Sequence, residues 1–200
     1  MTAAPHPGDQ PFATRLVSLP VPPPSGFTTA DLPQLMEIIG GRFELRDGDI
    51  VMMATPTHWH DEVAHYLRSA LRGVAPREFV VANEKGVDLG HSNPEPDVLA
   101  VSREAVASGS FIFAPTDVHL AIEVMSPGSK TKDRKLRPAQ YAEAGIACFW
   151  RVENEDDAMV VYTFELLPEG GAYAPTDVHR HRVVVDKPFP IDIELPPVTW

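Results

Sequence analysis

Apolar residues recur at steps of three and four along two stretches of the chain, which is the pattern of a helix with one buried face. The first stretch runs from Leu32 to Ile39, after Thr28 and Asp31, whose side-chain oxygens can cap a helix. The second runs from Trp59 to Val74 and carries its charged residues on the opposite face. The pattern therefore predicts two amphipathic helices in the first half of the chain.

Shorter apolar runs bounded by turn residues predict strands. The pair Asp47-Gly48 separates two such runs, residues 42–46 and 50–54, and indicates a β-hairpin. Four further runs should lie side by side in one sheet: Phe79–Ala82, Val98–Val101, Leu120–Met125 and Phe149–Val152. Met159–Glu165 and Arg182–Val185 should add antiparallel strands before a proline-rich, tail-like end.

The segment from Lys130 to Ala144 has a helical pattern that contains Pro138. Proline has no amide hydrogen to donate inside a helix, so we expect a kink or a restart there. His179 and His181 alternate along a late strand and should face solvent. Helices interspersed with short strands indicate a mixed α/β fold.

The composition is that of one globular domain: the chain has 200 residues, of which 44% are hydrophobic and 22% charged. Its first 24 residues contain seven prolines, which favour an extended conformation. We therefore predict an arm over residues 1–25, followed by a single domain over residues 26–200.

The net charge of -11 repels nucleic acid, so a polyanion could bind only at a local basic patch or through cations. The single cysteine, Cys148, allows no intrachain disulfide. The sequence has neither a long apolar span nor an export signal. These features lead us to expect a cytoplasmic protein with no membrane partner.

Two carboxylates stand in runs that should be buried: Asp97 begins an apolar run, and Glu123 lies inside another. A carboxylate among aliphatic neighbours is costly unless a cation or a hydrogen-bond donor compensates it. Two such groups on neighbouring strands can form a site for Mg²⁺ or Mn²⁺. Spacing alone slightly favours the alternative, in which one residue merely ends a strand and the other forms a salt bridge.

The chain also carries a series of short strings in order: Phe43–Gly48, Ile50–Met53, His60, Pro96–Leu99, Glu123–Ser129, Asp133–Ile146 and Phe149–Val152. No single string is specific. Together, their order and spacing resemble the PD-(D/E)XK nuclease superfamily and, within it, the bacterial Uma-two family, which is described as "putative restriction endonuclease". The resemblance spans about residues 42–152 and does not by itself establish activity.

The resemblance implies an α/β fold with a restriction-endonuclease-like mixed central sheet flanked by helices, to which an N-terminal helix and hairpin and extra C-terminal strands are added. It implies that Asp97 and Glu123 bind the metal. We expect the carbonyl of Val124 to lie close enough to join them. Glu44 is implied as a further acidic residue near the site.

The chain departs from the superfamily pattern at the catalytic lysine. The lysine position two residues after the strand glutamate is Met125 here, and a lysine on the following helix substitutes for it in this family. That position aligns with Arg137. Arginine can stabilise a developing negative charge but relays a proton poorly, because its pKa is very high. Lys135 is the alternative cation if the helix is irregular near Pro138.

Several residues are candidates for contact with nucleic acid. His60 matches a histidine of the family and could bond to Glu44 or to a substrate phosphate, or it could simply be a polar residue at the start of a helix. The cations at Lys130, Lys132 and Arg134 could neutralise a phosphate backbone, or they could form a solvated helix face.

The leading functional hypothesis is a Mg²⁺-dependent or Mn²⁺-dependent endonuclease that hydrolyses DNA, as a homodimer that would suit a duplex substrate. The alternative is a catalytically impaired relative that acts as a nucleic-acid-binding or oligomerisation module. The arginine at position 137 and the net charge favour that alternative. Removal of Glu123 should relieve repulsion between clustered anions, so stability without metal should rise or stay level.

Overall fold

A computed structural model describes residues 19–126, 132–156 and 158–198, without the side chains of residues 132 and 133. Most of the predicted arm over residues 1–25 therefore lies outside the described residues. Within these ranges the helices are α1 (Leu32–Ile38), α2 (His58–Val74), α3 (Arg103–Ala107) and α4 (Arg137–Glu143). None of the described helices is long and apolar enough to span a membrane.

The strands of the same ranges have the following bounds: β1 (Phe43–Arg46), β2 (Asp49–Met52), β3 (Phe79–Ala82), β4 (Gly86–Val87), β5 (Val98–Ser102), β6 (Ile112–Phe113), β7 (Val118–Val124), β8 (Cys148–Glu155), β9 (Ala158–Leu166), β10 (Tyr173–His179), β11 (Arg182–Val185) and β12 (Ile191–Glu194). Six of them form the central sheet in the order β10-β9-β8-β7-β5-β3. β7 and β8 run parallel, and the other neighbours are antiparallel. The four runs predicted to be adjacent are neighbours in this sheet, and the mixed α/β fold is confirmed.

Apolar residues cover both faces of the sheet. On one face, α2 packs through Val63, Leu67 and Leu71, together with residues of β11 and β12. On the other face, Tyr141 of α4 packs with Phe149 and with the β4-β6 pair. Because both faces are covered, the central strands are apolar along nearly their whole length.

The β1-β2 hairpin stands beside the central sheet and is fixed at its turn. Asp47 and Gly48 both have positive φ, which matches the predicted Asp-Gly turn. Gly48 also lies against Gly26, so a β-carbon added to Gly48 would lie 2.7 Å from the Gly26 Cα. Its amide donates to the carbonyl of His91 at 2.8 Å, and its carbonyl accepts from Phe27 at 2.8 Å. This contact sets where the hairpin, and hence Glu44 of β1, lies.

The helix after β7 restarts as predicted. A π-helical turn covers Lys132–Leu136, and α4 begins at Arg137 with Pro138 in its first turn. Proline is tolerated there because the first amides of a helix have no intrahelical partner. The restart therefore puts Arg137 at the N-terminus of α4.

The C-terminal part differs from the sequence-based prediction in two ways. The antiparallel strand predicted at Arg182–Val185 is present as β11, but its partner is β12, in the region predicted as a tail. His179 of β10 does not face solvent: it is 7% exposed, with Nε2 3.4 Å from the Thr163 hydroxyl. The tail was predicted wrongly because β12 packs its apolar residues on the core, and local sequence does not report that packing.

Candidate functional site

The ends of β5 and β7 bring two carboxylates to one face of the central sheet. Asp97 directly precedes β5 and Glu123 lies in β7, and the antiparallel register pairs Val98 with Ile122. Side chains alternate along a strand, so Asp97 and Glu123 both lie on the face that α4 covers. Both residues line a single cavity of about 550 Å³.

Asp97 is held by two neighbours. Its Oδ2 accepts the backbone amide of Val124 at 2.7 Å and lies 3.1 Å from Nε2 of His60, in the first turn of α2. Burial alone would lower the pKa of His60, but the hydrogen bond and the charge of Asp97 outweigh it and raise the pKa above its ordinary value of 6.5. The sequence left open whether the partner of His60 is Glu44, a substrate phosphate or neither. In the structure its partner is Asp97.

Val124 contributes its backbone amide to this site, where the amide donates a hydrogen bond to the Asp97 carboxylate. The residue also lines the cavity. That the carbonyl of Val124 helps to bind a cation stays a prediction.

Glu44 lies in the same cavity as Asp97 and Glu123, on the side formed by the hairpin. It is 1% exposed, although it carries a charge. Two guanidinium groups compensate that charge: Arg46 donates to Oε1 at 2.8 Å, and Arg137 donates from Nη2 to Oε2. The structure therefore groups Glu44 with the two strand carboxylates, as the resemblance implied.

Arg137 reaches into the cavity from the start of α4 and is 3% exposed. Besides Glu44, it donates from Nη1 to the side chain of Gln140 at 3.1 Å, and its Nε lies 3.6 Å from Oε1 of Glu123. Burial works against the charge, but Tyr141, Glu123 and Glu44 outweigh it and raise the pKa of Arg137 above its ordinary value. Arg137 is therefore a fixed cation between two buried carboxylates.

Tyr141 completes the cluster, although the sequence did not single it out as a site residue. Its hydroxyl donates to Oε1 of Glu123 at 2.6 Å, and its side chain is fully buried. Burial first, and the Glu123 charge second, raise the pKa of Tyr141 well above the usual range. The signal was present in the spacing, because residues 137 and 141 share one face of a helix.

The cavity wall carries further charges that the sequence did not single out. They are Arg42, Arg46, Glu84 and Glu95. Arg42 pairs with Glu84 at 2.6 Å and with Glu95 at 3.2 Å. Burial, together with the charges of Glu44 and Glu84, raises the pKa of Glu95 against the opposing effect of Arg42. In total, five carboxylates, three guanidinium groups and His60 line the cavity among the described residues.

The other predicted cations lie apart from this cluster or outside the described residues. Lys130 is outside the described ranges, and so is the side chain of Lys132. Lys135 is exposed and is not among the described residues that line the cavity. Arg134 is exposed and pairs with Glu153 of β8. Of the two candidate catalytic cations, the structure brings Arg137 to the carboxylates.

The donor chemistry of the cavity fits a hard divalent cation, because three carboxylates, Glu44, Asp97 and Glu123, line it together. In the observed arrangement the guanidinium of Arg137 stands beside Glu44 and Glu123. Across the ranges that the structure describes, no group of three or more His, Cys, Asp or Glu side chains is spaced to hold a metal ion. A cation at Asp97 and Glu123 would have to bind beside Arg137 or displace it.

The chain is similar to one protein family and to solved structures. The model of the Uma2 family, described as "Putative restriction endonuclease", matches residues 31–197. A solved structure from Anabaena variabilis ATCC 29413, described as "a putative nuclease belonging to DUF820", superposes with a TM-score of 0.58 at 15% identity, covering 78% of this chain and 88% of that one. At that identity the likeness supports the fold. No curated protein matches the chain.

Proposed function

The chain belongs to the Uma2 family of restriction-endonuclease-type proteins, and on that premise we propose that it hydrolyses phosphodiester bonds of DNA with Mg²⁺ or Mn²⁺. One observation carries the proposal: Asp97, Glu123 and Glu44 line one cavity with the buried cation Arg137. Carboxylate oxygens are the ligands that Mg²⁺ and Mn²⁺ take, and a cation held by these carboxylates beside Arg137 would support metal-assisted hydrolysis.

Each residue of the cluster has a defined part in this proposal. Asp97 and Glu123 would hold the cation, which when bound acidifies water and neutralises a phosphate oxygen. His60 orients Asp97, and Tyr141 orients Glu123, through the hydrogen bonds described above. Arg137 stabilises the negative charge that develops on the phosphate, but a guanidinium does not relay the proton of an attacking water.

The charge of the cavity makes the cation necessary for substrate binding as well. Five carboxylates against three guanidinium groups leave a wall that repels a phosphate. A divalent cation offsets that excess of negative charge. We therefore expect nucleic acid to enter this cavity only with a divalent cation bound.

The test is cleavage of a supercoiled plasmid in MgCl₂ or MnCl₂ by the parent, Asp97→Asn and Glu123→Gln. Asp192→Asn serves as the matched control, because Asp192 is an exposed carboxylate on β12, away from the cavity. We expect the parent and the control to cleave and the two site variants to be inactive. Absence of cleavage by the parent, or parent-level cleavage by both site variants, overturns the proposal.

A second candidate function is a catalytically impaired module that binds nucleic acid or oligomerises. Two contacts favour this function: Arg137 forms an ion pair with Glu44 and lies close to Glu123. The guanidinium of Arg137 is therefore in a position that a metal ion could take. Plasmid cleavage by Arg137→Lys and Arg137→Ala separates the two functions. An active enzyme keeps or gains cleavage with lysine and loses it with alanine, whereas an impaired module stays at background with both.

Lys135→Ala belongs in the same series. It should leave cleavage intact, because Lys135 is exposed and Arg137 is the cation beside the carboxylates. Loss of cleavage in this variant, with activity retained in Arg137→Ala, would transfer the role to Lys135. A homodimer that acts on duplex DNA is part of the proposal and is tested by light scattering with and without a DNA duplex.

A further inference from the structure

Alternate residues of β1 present a row of three charged side chains to the cavity. Arg42, Glu44 and Arg46 all line it. Arg42 directly precedes β1, and its carbonyl accepts the amide of Met53 at 2.9 Å, so the paired conformation extends to it. Alternate side chains of a strand lie on one face about 7 Å apart. The central member, Glu44, faces Arg137, and an arginine flanks it on each side.

Arg46 has donors to spare for a ligand. It contacts Glu44 through Nη2, and its buried Nε has no hydrogen-bond partner among the described residues. A guanidinium offers five N–H donors in a planar fork that suits phosphate. The side chain is 33% exposed, so a ligand in the cavity can reach it.

Arg42 is more open, with 45% of its side chain exposed. Its partners Glu84 and Glu95 hold it at the rim of the cavity. Ion pairs with this exposure contribute little to stability, because water screens them. A phosphate can therefore take over this guanidinium at small cost.

We propose that Arg42 and Arg46 bind the phosphates on either side of the phosphodiester bond that faces Glu44 and Arg137. The inference rests on the proposed nuclease function and makes it more specific. The substrate is then a polynucleotide strand with at least three consecutive phosphates, and it lies along β1. Neither arginine takes part in bond cleavage: both are positioning residues that hold the strand in register.

The inference is tested by fluorescence anisotropy of a labelled phosphorothioate oligonucleotide, which resists hydrolysis, in MgCl₂ at several NaCl concentrations. Arg42→Gln and Arg46→Gln should each weaken binding by about tenfold and lower the slope of log K against log[salt] by about 0.7 to 0.9. Arg42→Lys and Arg46→Lys should keep the parent slope, because the charge remains. The matched control is Arg182→Gln, an exposed arginine in ion pairs on β11 that does not line the cavity.

A second measurement separates positioning from catalysis. With bis(p-nitrophenyl) phosphate, a diester that has a single phosphate, kcat/KM should be the same for Arg42→Gln as for the parent. With an oligonucleotide the same variant should raise KM and leave kcat nearly unchanged. Equal losses on both substrates would contradict a flanking position for Arg42.

The outcomes distinguish this inference from the nuclease function itself. If the parent cleaves DNA while the glutamine variants bind and cleave as it does, the flanking sites are wrong and the function stands. If the parent binds DNA and both glutamine variants lose affinity, but no variant cleaves, the flanking sites stand and the function is wrong. Absence of any DNA binding by the parent in MgCl₂ overturns the inference.

Discussion

Arg137 donates a hydrogen bond from Nη2 to Oε2 of Glu44, across 93 residues of sequence. The exposed fractions of the two side chains are 3% and 1%. The contact joins the start of α4 to the β1-β2 hairpin, so two elements that contact different parts of the protein meet at one ion pair. A buried charge without its partner is costly, and several consequences for stability and function follow from this pair.

Replacing Arg137 by Met should lower the free energy of unfolding by about 3–5 kcal/mol, because Glu44 and Glu123 are left as buried carboxylates without that cation. Arg137→Lys keeps a charge and should lose less. Urea denaturation followed by circular dichroism gives both values. Arg182→Met, at an exposed pair, is the control and should stay close to the parent. Equal stability of Arg137→Met and the parent would contradict the assigned ion pair.

Glu123→Ala should destabilise the metal-free protein by about 2–4 kcal/mol, because it leaves the Tyr141 hydroxyl buried without its acceptor and removes the Glu123 charge that lies beside the buried Arg137. The sequence had suggested the opposite sign, from repulsion between clustered carboxylates. The structure reverses that expectation since Arg137 and Arg46 already compensate the cluster. Urea denaturation in EDTA measures the change, and a level or increased stability would restore the earlier view.

Tyr141→Phe should lower the free energy of unfolding by about 1.5–3 kcal/mol, since it removes a buried hydrogen bond to a charged acceptor. Tyr173→Phe is the matched control: its hydroxyl donates to the neutral carbonyl of Ile146 at 2.7 Å and should contribute less, about 1 kcal/mol. Thermal or urea unfolding of both variants makes the comparison. A larger loss for Tyr173→Phe would show that the charge of Glu123 does not strengthen the hydrogen bond from Tyr141.

The contact between His60 and Asp97 should make stability depend on pH. The pKa of His60 is raised in the folded state, so its contribution is complete below the ordinary value of 6.5 and is lost as pH rises through the folded-state pKa. The stability difference between the parent and His60→Gln should therefore shrink as the pH rises from below 6.5 through the folded-state pKa. His65→Gln, at an exposed histidine of α2, is the matched control. A difference that grows with pH would exclude the assigned pair.

Mn²⁺ should stabilise the folded protein if Asp97 and Glu123 bind it. A cation at a hundred times its Kd adds about 2.7 kcal/mol, which appears as a rise in Tm. Asp97→Asn should lose that rise, whereas Asp192→Asn, at an exposed carboxylate, should keep it. A rise of equal size in the parent and in Asp97→Asn would place the cation elsewhere.

The sequence was most informative where local pattern and long-range packing agree. Asp47-Gly48 defines a turn through its own backbone preference, and β5 and β7 are apolar because both sheet faces are covered. Asp97 and Glu123 stood out because a carboxylate in such a run needs compensation, and the family resemblance assigned both to one metal site. These features depend mainly on neighbouring residues, so they could be predicted.

The rest of the site depends on contacts that no local pattern reports. Arg42 and Arg46 appeared as ordinary strand charges until the hairpin was seen to face the cavity. Tyr141 was not singled out, and its hydroxyl has a role only because Glu123 lies opposite. His179 was expected in solvent, yet it is buried beside Thr163 of β9. Each case was decided by which element packs on which, and that is a tertiary property.

The contact between Gly26 and Gly48 limits how far this sequence can drift in evolution. An added β-carbon at Gly48 would come within 2.7 Å of the Gly26 Cα, and one at Gly26 within 2.9 Å of the Gly48 Cα. A side chain at either position would push the hairpin outward and carry Glu44 away from Arg137. Selection that acts on the carboxylate of Glu44 therefore also acts on two glycines that carry no reactive group.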